Sequence, residues 1–320
     1  QGGNMRVLVT GASGFIGRRV VMSLATNGHS VRAMTRSECP ATSFRDCEVE
    51  VFQADVLDPE SLSKACRDIE AVIHLAAIIR ELGEFTFQRM NLGGTIKLLN
   101  TAAAAGVQRF VMASAIGASS DPSIPYLYSR WRAEQEVINS PIPSTILRFS
   151  VGFGRGDEFF NTLAALAKLS PLVPIAGDGK SLFQPIAADD AAKCLAASIK
   201  DEGVLGKTIE LGGPAYFTYD QMIDTIARTL GLKIAKLHIP IRLFAFVASL
   251  MDIILNKPPV TTDQLKMLDI NNTADVYSVE SNFGFRPMAL EDNIGYIKEI
   301  TVLDALKISM GNMPTQIRDH

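Results

Sequence analysis

Gly11-Ala-Ser-Gly14-Phe-Ile-Gly17 follows directly on the apolar run Met5-Arg-Val-Leu-Val-Thr10, and the amphipathic stretch Phe15-Ile-Gly-Arg-Arg-Val-Val-Met-Ser-Leu-Ala follows in turn. A strand, a glycine turn and a helix are thereby fixed within about 20 residues, with Gly28 ending the helix before a second strand. Gly11 permits the tight turn, Gly14 lets backbone N–H groups come close to a ligand, and Gly17 lets the helix lie against its strand. The helix N-terminus then faces an anion, and a dinucleotide diphosphate is the ligand this spacing suits. Ser13, Phe15 and Ile16 complete that turn.

Short β-branched runs alternate with helical patterns through the first half. Strands are expected at Val7 to Thr10, Val31 to Thr35, Val49 to Gln53, Ala71 to Leu75, Phe110 to Ala113 and Thr145 to Phe149. Such alternation means a parallel sheet with helices on both faces. Asp58-Pro59-Glu60 starts a helix, the run Thr101 to Gly106 ends one, and Thr218 caps another. After Phe149 the alternation lapses, and Pro171, Pro174, Gly177, Gly179 and Pro185 cluster. The expected division is a nucleotide domain over 5–150 and, over 151–320, mostly a substrate lobe interleaved with a return to the first sheet.

The chain has 320 residues, 47% of them hydrophobic, enough to fill a sizeable core. A net charge of −3 leaves no basic footprint, which excludes nucleic acid as the expected partner. Cys39, Cys47, Cys66 and Cys194 lack C-x-x-C spacing and read as reduced thiols, which favours a cytoplasmic location. His29, His74, His238 and His320 are scattered singly, His74 within an apolar strand as a core histidine, and no metal site is expected. Gln1-Gly-Gly-Asn4 reads as a tag remnant, and no secretion signal precedes the first strand. The apolar stretch in 243–255 is too short to span a bilayer; it reads as a packed helix, with a membrane surface or a protein partner as the sharper alternative.

The G-x-x-G-x-x-G spacing resembles the short-chain dehydrogenase/reductase superfamily in its extended and atypical, epimerase/dehydratase-like members. Asp55, followed by Val56, is similar to the family's adenine-side aspartate, and His74-Leu75-Ala76-Ala77 to the strand end beside the nicotinamide ribose. Asn91-Leu-Gly-Gly-Thr95, Arg109 to Ser114, Leu147-Arg-Phe149, Gly154-Arg-Gly-Asp157, Gln184 to Ala191 and Glu210 to Pro214 follow in family order. They resemble the branch that holds an accessory subunit of mitochondrial complex I and its bacterial relatives. The resemblance implies an α/β fold, a Rossmann-type doubly wound parallel sheet with a smaller C-terminal substrate lobe, and cofactor contacts at Asn91 and Phe149.

The second strand ends in Thr35-Arg36-Ser37 rather than in an acid. An acid there accepts from a 2′-hydroxyl, whereas Arg36, with Arg18 closing from the helix, suits a 2′-phosphate. NADP (NADPH) is therefore expected, with NAD, served by Glu38, as the rival. The family's Tyr-x-x-x-Lys is matched by Tyr128-Ser-Arg-Trp-Arg132, with Arg in place of Lys; Tyr126 and Arg130 form a second register. Arginine keeps the electrostatic role but cannot relay a proton. Ser114 stands where relatives carry the serine that bonds substrate oxygen, but Ala115 follows it. The expected activity is an NADP-dependent oxidoreductase on an unknown carbonyl or alcohol, with Tyr128 as acid/base, Arg132 as its partner and Ser114 as orienter. The alternatives are a catalytically impaired NADPH-binding structural or redox-sensing protein and a sugar-nucleotide epimerase or dehydratase.

Overall fold

The computed structural model describes residues 3–37, 44, 49–240, 243, 266–268 and 270–318. Glu38, Cys39, Cys47, His320 and nearly all of the 243–255 stretch lie outside the described residues. Thirteen strands are named here in chain order: β1 Arg6–Thr10, β2 Ser30–Thr35, β3 Val49–Gln53, β4 Ala71–His74, β5 Arg109–Ala115, β6 Ser144–Phe149 and β7 Gly152–Phe153. There follow β8 Leu172–Ala176, β9 Leu182–Phe183, β10 Ile186–Ala187, β11 Thr208–Leu211, β12 Phe217–Thr218 and β13 Ala235–Ile239. The helices used below are α1 Phe15–Thr26, α2 Pro59–Ala65, α3 Gly94–Ala104, α4 Pro125–Ile138, α5 Phe159–Leu169, α6 Ala188–Ala197 and α7 Tyr219–Leu230.

The chain divides into two compact units. The first comprises Gln1–Phe149, Ala188–Leu211 and Ser278–Phe285; the second comprises Ser150–Ala187, Gly212–Tyr277 and Arg286–His320. In the first unit seven strands form one sheet in the order β11-β6-β5-β4-β1-β2-β3. Every neighbouring pair is parallel. The chain runs outward from β1 in both directions, so the order reverses between β1 and β4, the point beyond whose strand C-termini open α/β sheets bind their ligands. Val7, Leu8, Val9, Val72, Ile73, Phe110, Val111 and Met112 are wholly buried, as a sheet covered on both faces requires.

Local signals explain the helices. Asp58 accepts from the N–H groups of Glu60 and Ser61, with Pro59 at the first helical position of α2. Thr218 and Gln221 form a capping box at α7. Arg32 sits in the middle of β2, where an apolar residue belongs. Its guanidinium caps the end of α2, donating to the carbonyls of Ala65 (2.7 Å) and Arg67 (2.9 Å) and pairing with Glu50 at 3.0 Å.

In the second unit β7 pairs with β10 and β8 with β13 in parallel, and β9 with β12 antiparallel. A separate core gathers Phe153, Phe160, Ile175, Phe183, Met222 and Ile226. At the start of α5, Asp157 accepts from Phe160 N (2.6 Å), Asn161 N (3.3 Å) and the Tyr296 hydroxyl.

Candidate cofactor site

The glycine turn takes the form its spacing demands. Gly11 has φ +68°, and a Cβ there would lie 2.9 Å from the Ala76 nitrogen. A Cβ on Gly17 would collide with the Gly11 carbonyl oxygen, so only glycine lets α1 approach β1 this closely. Gly14 is the extended N-cap of α1; no side chain caps the helix and its first turn holds no acid. Its leading N–H groups are thus open to an anion.

Arg36 follows β2 directly, its guanidinium carbon 4.7 Å above the Phe85 ring and its carbonyl accepting from Gln53 Nε2 at 3.3 Å. Arg18 donates through Nε to the Ser13 carbonyl at 3.2 Å. The Thr35 hydroxyl is buried without a hydrogen-bond partner. Asp55 turns its carboxylate to Leu57 N (2.8 Å) and its own N–H to Ser61 Oγ (3.2 Å). Val56 is buried against Gly94, where a Cβ would come within 2.9 Å of the valine methyl.

His74 ends β4 opposite Thr10 and Met112. Its Nδ1 lies 2.8 Å from Thr10 Oγ1 and its Nε2 3.0 Å from Thr95 Oγ1. Burial first, then the charge of Arg130, pulls the imidazole down to about 3. It is the satisfied core histidine expected from the sequence. Leu75 and Ala76 donate their N–H groups to Thr10 Oγ1. Asn91 is spent internally: Oδ1 accepts from Ile78 N, and Nδ2 donates to Ile78 O and Ser129 Oγ. Ala77 lies exposed in the same loop.

Helix α4 separates the two tyrosine registers. Arg130 is buried and donates to the Ala113 carbonyl of β5, while its second terminal nitrogen, Nη1, is buried without a partner. Tyr126 stands edge-on to Phe87 at 5.7 Å. Burial pushes its phenol up, and Arg130 draws it back. Tyr128 and Arg132 are two residues further on, about 200° around the helix. There the Tyr128 ring stacks on Trp131 at 6.0 Å, and Arg132 Nη1 donates to the Tyr128 hydroxyl at 3.4 Å. Arg130 faces the sheet, so helical phase turns Tyr128 and Arg132 away from β5.

Ser114 is committed as well. Its hydroxyl donates to Glu134 Oε1 at 2.5 Å, and Arg148 holds the same carboxylate at 3.0 and 2.6 Å. Glu134 is only 1% exposed, and the Arg148 guanidinium is the ion-pair partner that such burial demands. Arg148 is paired across β5 and β6 with Ser114 and reaches Glu210 on β11 at 3.1 Å. Four positions far apart in the chain (114, 134, 148 and 210) make this cluster, and no single stretch of sequence shows it. Phe149 ends β6, buried, its carbonyl accepting from Ile116 N.

These residues fit a dinucleotide: a glycine cradle and an uncapped helix N-terminus follow β1 at the reversal point of the sheet, and a buried guanidinium nitrogen lacking a partner lies on α4, which is anchored on β5. A family model described as NAD(P)H-binding matches residues 11–153. Ceramide reductase of Caulobacter vibrioides is 31% identical over 237 residues, which span 73% of this chain and 73% of that protein. The chain belongs to the NAD(P)-binding short-chain dehydrogenase/reductase family. The mitochondrial NADH dehydrogenase [ubiquinone] 1 alpha subcomplex subunit 9 of Arabidopsis thaliana is 28% identical over 293 residues, 88% of this chain and 73% of that protein. The fold is also that of the NADPH-dependent quinone oxidoreductase QOR2 of Escherichia coli, solved with NADPH. The TM-score is 0.74 at 21% identity, over 91% of this chain and 99% of that one. Among the described residues no helix is long and apolar enough to cross a membrane.

Proposed function

We propose that this family member is an NADP(H)-dependent oxidoreductase acting on a carbonyl or alcohol, with Tyr126 and Arg130 as its working pair. The observation that carries the reading is the unpartnered Nη1 of buried Arg130, four residues after Tyr126 and anchored on β5. A buried donor without a partner costs about 1–3 kcal/mol, and a ribose hydroxyl relieves that cost. Bound NADPH supplies the hydride. The N-terminus of α1 holds the diphosphate, with Ser13, Phe15 and Ile16 around it. Arg36 and Arg18 favour the 2′-phosphate over the bare hydroxyl of NAD, and Asp55 and Val56 wall the adenine side. The Tyr126 phenol donates its proton to the substrate oxygen, assisted by the Arg130 charge. Arg130 keeps its own proton, so Tyr126 must recover one from solvent. Ser114, held by Glu134, leaves the substrate oxygen to Tyr126 alone.

A second reading, a catalytically impaired NADPH-binding structural or redox-sensing protein, is favoured by that missing lysine and the committed Ser114. The respiratory-complex name of the Arabidopsis relative accords with it, and the name of the Caulobacter reductase with the first. No observation favours the epimerase or dehydratase alternative. A cytoplasmic location and the absence of a nucleic-acid partner belong to this proposal.

A panel of carbonyl compounds, assayed by NADPH oxidation, tests it. Tyr126→Phe lowers turnover about 100-fold or more and leaves NADPH affinity in place, whereas Tyr128→Phe keeps most of the activity. Wild-type protein that binds NADPH and reduces nothing hands the case to the second reading. Loss of activity in Tyr128→Phe with Tyr126→Phe unaffected restores the other register.

A further inference from the structure

The hydrogen bonds around the end of β4 leave no freedom in where their protons sit. The Thr95 hydroxyl donates to the Asn91 carbonyl at 2.6 Å, as a helix hydroxyl commonly does to the preceding turn. Having one proton to give, Thr95 Oγ1 can only accept from His74 Nε2 at 3.0 Å. The ring proton is therefore on Nε2, and bare Nδ1 accepts the hydroxyl proton of Thr10 at 2.8 Å. The Thr10 oxygen in turn accepts from Leu75 N (3.2 Å) and Ala76 N (3.3 Å). The chain runs one way, from the Leu75 and Ala76 amides through Thr10, His74 and Thr95 to the carbonyl of Asn91.

Its far end closes on the same loop. The Asn91 side chain holds Ile78 through both N–H (2.8 Å) and carbonyl (3.1 Å) and donates to Ser129 Oγ at 3.0 Å. Ser129 bonds the Tyr126 carbonyl at 2.7 Å and immediately precedes Arg130. Residues 75–78 are thus pinned at both ends, and α4 is tied to the same chain. We propose that His74 is a positioning residue for the cofactor, a neutral Nε2–H imidazole that sets the 75–78 loop and the Tyr126–Arg130 turn as one unit. The proposal rests on the NADP(H) reading of the site. A charged imidazole would present a second N–H to Thr10, whose oxygen already accepts two amides, and the chain would break there.

Imidazole nitrogen spectra of the wild-type protein, NADPH titrations followed by fluorescence, and thermal unfolding of Thr95→Val and Thr95→Ser together test it. The expected spectra show His74 protonated at Nε2 alone. Thr95→Val strands that proton and weakens NADPH about tenfold, as loss of the partner of a buried donor implies, while Thr95→Ser stays within about twofold of wild type. An Nδ1–H ring overturns the proposal through a readout that needs no cofactor. Thr95→Val that melts lower but binds NADPH as wild type does also overturns it, because the chain would then serve stability alone. Wild-type protein that binds no NADPH defeats the functional reading itself, and the positioning role with it.

Discussion

On the proposed reading, Arg36 is the residue that selects NADPH over NADH, since the end of β2 offers a guanidinium over Phe85 and no described acid. A lost charge-assisted phosphate contact costs about 1.5–3 kcal/mol, so Arg36→Ala weakens NADPH roughly tenfold or more and leaves NADH nearly unchanged. Calorimetric titration with both cofactors reads the difference, and equal losses would remove the argument. The three glycines were legible because the part each plays in the turn follows from its residue type and place. The tyrosine register was not. Tyr126-x-x-x-Arg130 and Tyr128-x-x-x-Arg132 share one spacing, and only the helix phase, fixed by Arg130 on Ala113, separates them. Ser114 carried a family role in the sequence, but its proton goes to Glu134, a residue 20 positions away.

Strand periods placed β1 to β6 to within a residue or two, with β5 longer at both ends than the apolar run suggested, whereas the short strands of the second unit, too brief to show a period, were not placed. Arg32 had no such signal, because its partners are backbone carbonyls at the end of α2. The close approach of α1 to β1 yields a sharp prediction. Gly17→Ala forces a methyl against the Gly11 carbonyl, and overpacking of this kind costs about 1–3 kcal/mol. Chemical denaturation should show that loss, with dinucleotide affinity falling for NADPH and NADH alike because the turn itself is displaced. A stable Gly17→Ala that binds both cofactors normally would mean that the turn can shift without consequence.

At the scale of the whole chain, two buried groups give opposing pH dependences. Burial pushes the Asp157 carboxyl up to about 7 despite the donors around it, so the folded state binds the proton more tightly than the unfolded one. Asp157 therefore costs stability as pH rises from about 4 to about 7. His74, held down to about 3, binds its proton less tightly when folded, so it adds stability as pH rises from about 3 to 6.5. The two largely offset one another in the wild type. Asp157→Asn removes one of them, and its melting temperature should climb from pH 4 to 6.5 more steeply than that of the wild type. Superimposable pH profiles would contradict the Asp157 assignment. Neither group could be weighed from sequence, because what shifts them is burial by residues far along the chain.

On the proposed reading, the glycine turn of the first unit carries an NADP(H) site. Calorimetric titration of the wild type and of Gly14→Val with NADPH and NADH tests it most directly. NADPH should bind the wild type at least tenfold more tightly than NADH, by about 1.4 kcal/mol or more, and Gly14→Val, still folded, should lose both. Binding that is unchanged in a folded Gly14→Val, or a wild type that prefers NADH or takes up neither, would contradict it.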